Sequence, residues 1–218
     1  KYCIHGTWWF LTFCNTAQWI NTIVVPYNTS WLIALIPLCI GMINPHLWQR
    51  WHWAWMITLP VVWPSRSPVV FGHVQMTMFD VGQGLSVMLQ TKNHSLIYDA
   101  GPAYPGGFDS GKDIIEPAWR RLHLNRPPTL LISHGDNDHI GGAFSLVHDL
   151  SIKSIITSVP QRFQHANPCY AGQHWQWDGV LFRILWPPKR QQYQGNNSSC
   201  VLQVHTAHHH ILLTGDIE

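Results

Sequence analysis

From Tyr2 to Gln49 the chain carries no Asp, Glu, Lys or Arg, and all 11 of its acidic residues stand at Asp80 or beyond. A soluble surface needs roughly 25–35% charged residues, so the first part of the chain cannot be clothed like an ordinary water-facing domain. Residues 8–25 and 31–48 are uncharged runs of 18 residues each. That is close to the ~20 residues that a helix needs to cross the hydrocarbon core of a bilayer. The first run contains Asn15, Thr16, Gln18, Asn21 and Thr22, which suits a face turned toward other helices or a wet pore rather than toward lipid. Residues 51–63, interrupted by His52 and Pro60, read as an interfacial or partial span. Nine of the 13 tryptophans precede Pro64, several at the edges of these runs, as in an aromatic belt at the headgroup boundary. The alternative is a tryptophan-rich soluble core, which the lack of charge disfavours. The chain begins with Lys and shows no basic stretch leading to a small-residue cleavage site, so it reads as a piece that starts inside a longer protein.

After the linker VWPSRSP the pattern changes, which divides the chain into membrane or interfacial helices over 1–63, a linker over 64–72 and a folded domain over 73–218. HVQMTMF, SVMLQT and SLIY alternate apolar and polar residues, with Gly and Asp at the breaks, and predict consecutive strands with tight turns. Helical spacing runs from Asp113 to Leu122, with Pro117 in the first turn, and from Gly142 to Leu150. TLLIS, SIITS and VLFRILW predict further strands, and CVLQVHT with HILLTGD predicts a hairpin. The expected class is α/β. The net charge of +2 offers no basic face for nucleic acid. Five widely spaced cysteines without a C-x-x-C pair read as unpaired packing residues in a reducing compartment.

The densest chemistry lies in SHGDNDHIGG, where two histidines and two aspartates fall within six residues between a buried strand and a helix expected near Gly141. His134 and Asp136 can point one way from such a loop, while Asp138 and His139 follow on an adjoining face. Two ligand sets facing one cavity suggest two metals, and mixed imidazole and carboxylate donors suit a divalent pair that activates water for hydrolysis. The alternative is a polar turn that caps the next helix, with Asp138 accepting backbone N–H bonds. Asp216 ends the apolar run LLTGD and so emerges at a sheet rim, where a turn aspartate is the competing role. The histidines His208, His209 and His210 occupy the expected hairpin turn and read as solvated.

HGDNDHIGG resembles the H-x-[HD]-x-D-H-x-G-G signature of the metallo-β-lactamase superfamily, and FDVGQG, YDAG and LLTGD stand in that superfamily's order. Asp136 in place of a histidine, together with DVGQG and NNSSCVL, is more particular and resembles the C-terminal domain of the ComEC-type competence channel family. The resemblance implies a metallo-β-lactamase αββα sandwich, truncated at its C-terminus and preceded by hydrophobic transmembrane helices. It implies metal ligands at His134, Asp136, Asp138, His139 and Asp216, with Asp216 bridging two divalent ions, and catalytic roles for Asp138 and His139. A carboxylate at Asp136 hardens the site toward Mn2+, or toward a choice between Mn2+ and Zn2+. Asp80, Gln83 and Asp99 are implied to shape the site through hydrogen bonds, although a turn role is equally open for Asp99. Asn197 lines the pocket or holds substrate, or is a plain loop residue. A final histidine ligand, typical of the family, is expected downstream of Glu218.

The function implied is DNA internalisation at the bacterial inner membrane by a multi-pass protein whose metal-dependent domain hydrolyses the phosphodiesters of the strand that is not imported. DNA, membrane lipid and other competence-machinery proteins are the implied partners. Two alternatives stand beside it. One is a membrane-tethered hydrolase of the same fold acting on another substrate, and the other a non-catalytic channel domain that only grips DNA.

Overall fold

Residues 68–122 and 127–218 are described in a computed structural model. The membrane helices expected over 1–63, and Cys3, Cys14 and Cys39, lie outside these residues. No helix among the described residues is long and apolar enough to cross a membrane.

Alternation in the sequence becomes three strands in antiparallel order: β1 (Gln75–Met78), β2 (Val87–Gln90) and β3 (Ser95–Tyr98). The chain then leaves the sheet through a wide helical turn, Gly111–Ile115, that runs into α1 (Glu116–Arg121). Pro117 fits the first turn of α1, where its missing N–H costs nothing, and Arg120 Nε donates to Glu116 Oε1 at 2.6 Å along one face. The crossover returns to β4 (Thr129–Ile132), parallel to β3. Two short helices follow, α2 (Asn137–Ile140) and α3 (Ala143–Asp149), and then β5 (Ile155–Thr157) and the two-residue β6 (Asn167–Pro168). These six strands form one sheet in chain order, mixed in direction. A second, antiparallel sheet has the order β10-β9-β8-β7, from β7 (His174–Trp177), β8 (Val180–Trp186), β9 (Val201–His205) and β10 (His210–Leu213).

Side chains alternate across a strand, and this sorts the first sheet into two apolar faces. Met88, Ile97, Leu130, Ile132 and Ile155 pack against Ile115, Trp119 and Leu146 of the helical layer. Their neighbours Val87, Leu89, Leu96, Tyr98 and Leu131 pack against Val180, Phe182, Ile184, Leu202 and Val204 of the second sheet. The described residues therefore stack as helices, sheet, sheet. Burying a side chain such as Phe182 completely contributes roughly 1.5–3 kcal/mol. Strands β2 and β3 are buried on both faces, so the alternation expected for them gives way to the apolar triplets Val87–Leu89 and Leu96–Tyr98, as in a strand covered on both sides.

The hairpin of β7 and β8 turns at Asp178 and Gly179, both with positive φ, 48° and 84°, the backbone that an Asp-Gly pair adopts in a tight hairpin. Asp178 also ties the two sheets together. Its carboxylate accepts from Thr91 Oγ1 at 2.6 Å, from the Asn93 N–H and Nδ2 at 2.7 Å each, and lies 3.1 Å from His94 Nδ1. Burial alone would raise its pKa, but the hydrogen bonds outweigh that and lower it.

The structure corrects the expectation for two of the cysteines. Cys169 and Cys200 are joined in a disulfide, with Cα atoms 6.1 Å apart. Sheet stacking brings the segment after β6 beside the start of β9 across a sequence separation of 31 residues, which no spacing rule reveals. This pairing removes the argument for a reducing compartment, because such bonds persist where the surroundings oxidise thiols.

Candidate metal centre

Because β3 and β4 are parallel neighbours, they deliver their following residues, Asp99 and Ser133–His134, to the same rim. Asp99 adopts φ 57° and is fully buried. Its Oδ1 accepts the Ser133 N–H at 2.6 Å, and its Oδ2 accepts the Ser133 hydroxyl at 2.7 Å and lies 2.8 Å from His139 Nδ1. A carboxylate on Nδ1 fixes the orientation of the ring and leaves Nε2 to face outward. His139 lies in α2, a short helix inside the aspartate-rich loop that the sequence did not announce, while the helix expected from Gly142 is α3. The His139 Nε2 lies 3.2 Å from Asp216 Oδ2.

His134 is buried beside it, with ring centroids 4.2 Å apart. Its Nδ1 faces Ser133 Oγ at 3.0 Å and Ser199 Oγ at 3.4 Å. Its Nε2 is buried and makes no hydrogen bond within the protein, with Asp136 Oδ2 at 3.6 Å. One ligand atom from each of His134, His139 and Asp216 lies within 4.8 Å of the other two. Asp136 (57% exposed) and Asp138 (33%) flank this trio, the latter with Oδ2 4.0 Å from His139 Nε2. Asp136 occupies the position just before α2 yet makes no side-chain capping bond, so its carboxylate is not spent on the helix.

The donor set fits a divalent cation. Two imidazoles and nearby carboxylates are ligand types shared by zinc and manganese, and a buried Nε2 without a partner is the atom that a cation would satisfy. In the metal-free protein the two histidines diverge. Burial, followed by the neighbouring His139, lowers the pKa of His134. For His139, burial also acts downward, but the Asp99 hydrogen bond and the Asp99, Asp216 and Asp138 charges raise it to about 9.

Asp80 and Gln83 stand exposed in the turn between β1 and β2. Asp80 accepts the Gly82 N–H at 3.3 Å within its own turn. The turn reaches the metal loop through backbone instead: Leu85 N–H donates to Asp138 O at 3.2 Å, and a Cβ on Gly84 would stand 2.1 Å from that oxygen. Asn197 holds the chain on either side of it, its Oδ1 accepting the Glu218 N–H at 3.2 Å and its carbonyl accepting Trp186 Nε1 at 2.8 Å. His208, His209 and His210 are exposed in the β9–β10 hairpin and do not join the trio. Sequence reasoning gave no role to Ser133, Ser199 or Tyr193. The first two stand beside residues that were singled out, in SHGD and NNSSC; Tyr193, whose hydroxyl accepts the Gly135 N–H at 2.9 Å, carries no motif signal.

Residues 79–218 match the profile of the metallo-β-lactamase superfamily. The chain belongs to the metallo-β-lactamase superfamily. Membership carries a divalent-metal site with it. The chain is 40% identical over 160 residues to the uncharacterized protein YcaI of Escherichia coli, covering 73% of this chain and 21% of that one. It is 34% identical over 187 residues to competence protein ComA of Neisseria gonorrhoeae, covering 86% and 25%. Recombination protein 2 of Haemophilus influenzae is 33% identical over 147 residues, covering 66% and 18%. The chain thus spans about a fifth to a quarter of the length of these curated relatives. The ComEC-type resemblance read from the motifs is borne out by the competence relatives.

Proposed function

We propose that this chain is the catalytic end of a DNA-uptake protein of the bacterial inner membrane, hydrolysing phosphodiesters of DNA and removing the strand that is not imported. The observation that carries this reading is the trio of His134, His139 and Asp216, with one imidazole locked by Asp99 and the other presenting an unpartnered Nε2. The substrate class, DNA, is taken from the ComEC-type resemblance, which the likeness to competence protein ComA supports. Two divalent ions, Mn2+ or Zn2+, would be held by His134, Asp136, Asp138, His139 and Asp216. When bound they supply Lewis acidity toward the phosphate and lower the pKa of water.

The protein's own residues set the stage for that chemistry. Asp99 holds His139 at Nδ1, Ser133 and Ser199 hold His134, and the partly exposed Asp138 is placed to accept a proton from the attacking water. His139 must give up its own proton for Nε2 to act as a ligand. Asp216, after β10, closes the trio from the second sheet, so the site is assembled only when both sheets have packed. The Cys169–Cys200 disulfide supports placing this domain on the oxidising side of the membrane.

The deciding assay follows cleavage of single- and double-stranded DNA by the complete domain, including the histidine expected downstream of Glu218, with Mn2+, Zn2+ or a chelator, beside the Asp138→Ala variant. The reading expects cleavage that chelation abolishes and that Asp138→Ala lowers by at least about 100-fold, the scale of a lost acid–base group. Cleavage that persists unchanged in both controls would show that another activity is responsible.

A further inference from the structure

The segment between β8 and β9, residues 187–199, borders the metal cluster at two points. Ser199 Oγ lies 3.4 Å from His134 Nδ1 and accepts the Asp216 N–H at 3.3 Å. Tyr193 lies against the metal loop itself. Its hydroxyl accepts the Gly135 N–H at 2.9 Å, between His134 and Asp136, while 42% of the residue remains exposed. The approach is close: a Cβ on Gly135 would stand 3.0 Å from the Tyr193 oxygen and 3.7 Å from Cζ. The segment is braced by its own hydrogen bonds, Gln194 N–H to Ser198 Oγ at 2.8 Å, Gln191 Nε2 to Asn197 O at 3.2 Å and Trp186 Nε1 to the same carbonyl at 2.8 Å. It ends at the disulfide of Cys200. A ring fixed in this way has given up its rotamer freedom before any ligand arrives, which lowers the cost of binding.

The stretch of chain that carries Tyr193 is cationic, and it faces the acidic metal loop with Asp136 and Asp138. Between Asp149 and Asp216 the only acidic residue is Asp178, and its carboxylate is occupied by Thr91, Asn93 and His94. The same stretch contains Lys153, Arg162, Arg183, Lys189 and Arg190, five cations against one anion. Lys189 and Arg190 are exposed a few residues before Tyr193, with Lys189 Nζ 4.9 Å from the centroid of the Tyr170 ring. The whole-chain charge of +2 averages this asymmetry away.

We propose that residues 187–199 form a single-strand-binding rim of the metal site, in which Tyr193 stacks a nucleobase beside the phosphate to be cleaved and Lys189 and Arg190 take backbone phosphates. This rests on the nucleic-acid reading above and deepens it. A base can stack on Tyr193 only when its face is free, so the rim selects an unpaired strand over a duplex. Exposed aromatic rings beside cationic side chains are how single strands are held without regard to sequence.

The test measures binding to the full chain with metal removed, by fluorescence anisotropy, so that cleavage does not enter. The probes are a short single-stranded DNA, the same strand with abasic sites, and its duplex, with 2-aminopurine fluorescence reporting the stack directly. Wild type is expected to bind the intact strand about tenfold more tightly than the abasic strand and to quench 2-aminopurine. Tyr193→Phe still discriminates against the abasic strand and quenches 2-aminopurine, with weaker overall affinity because the bond to Gly135 is gone, whereas Tyr193→Leu binds intact and abasic strands equally. A wild-type chain that binds DNA yet neither discriminates against abasic sites nor quenches 2-aminopurine overturns the stacking role and leaves the nuclease reading standing, whatever the fate of the leucine variant. A wild-type chain that neither binds nor, with metal restored, cleaves DNA overturns both.

Discussion

Asp99 is the residue on which the site turns. Three of its contacts, two to Ser133 and one to His139 Nδ1, involve groups at the rim of the first sheet, so its loss disturbs ligand orientation rather than ligand identity. Asp99→Asn is expected to weaken divalent-metal binding by about 10–100-fold, the usual effect of losing such a partner, as read by isothermal titration. A pH dependence follows from His139. Its pKa in the metal-free fold is raised to about 9, against about 6.5 in an unfolded chain. Its contribution to the stability of the metal-free protein is therefore complete below about pH 6.5 and is lost as pH rises through about 9. Metal must displace that proton, so affinity is expected to increase from pH 6.5 to 9 and then level off. Titrations across that range check the slope, and an affinity independent of pH would show that His139 is not a ligand.

At the level of elements, two backbone features decide whether the metal loop keeps its shape. Gly84, with φ 125°, passes so close to Asp138 that a methyl group would overlap its carbonyl oxygen. Gly84→Ala is expected to cost about 1–3 kcal/mol in denaturant unfolding, as overpacking does, and to weaken metal binding by shifting α2. The disulfide anchors the other side, where the 187–199 segment enters β9. Replacing Cys169 and Cys200 together by Ala is expected to cost about 2–4 kcal/mol, measured under non-reducing conditions. The sequence makes some of these elements plain and hides others. Strands β2, β3, β4 and β8 are legible because burial imposes apolar runs or period-two alternation. HWQW, now β7, escapes because its side chains are at best partly buried, although the Asp-Gly pair after it marks the hairpin. The disulfide is illegible because stacking of two sheets, not local spacing, creates it. Asp99 was open between turn and site because only the parallel pairing of β3 with β4 brings it to His139.

At the scale of the described residues, a helix–sheet–sheet domain brings the candidate metal ligands together from both sheets. His134 and His139 come from the first sheet's rim and Asp216 from the end of the second. Most of this ligand set was readable in advance because HGDNDH is local in sequence. What the fold adds is which donors converge, since Asp136 and Asp138 flank the trio rather than complete it. The measurement that bears most directly on the account is the metal content of the full chain by native mass spectrometry, in a background where His208, His209 and His210 are changed to Gln so that the exposed hairpin cannot bind adventitiously. The account predicts bound Mn2+ or Zn2+ that is retained in this background and lost when His134 and His139 are replaced by Ala. Metal content that vanishes with the hairpin histidines, or that survives removal of His134 and His139, would contradict it.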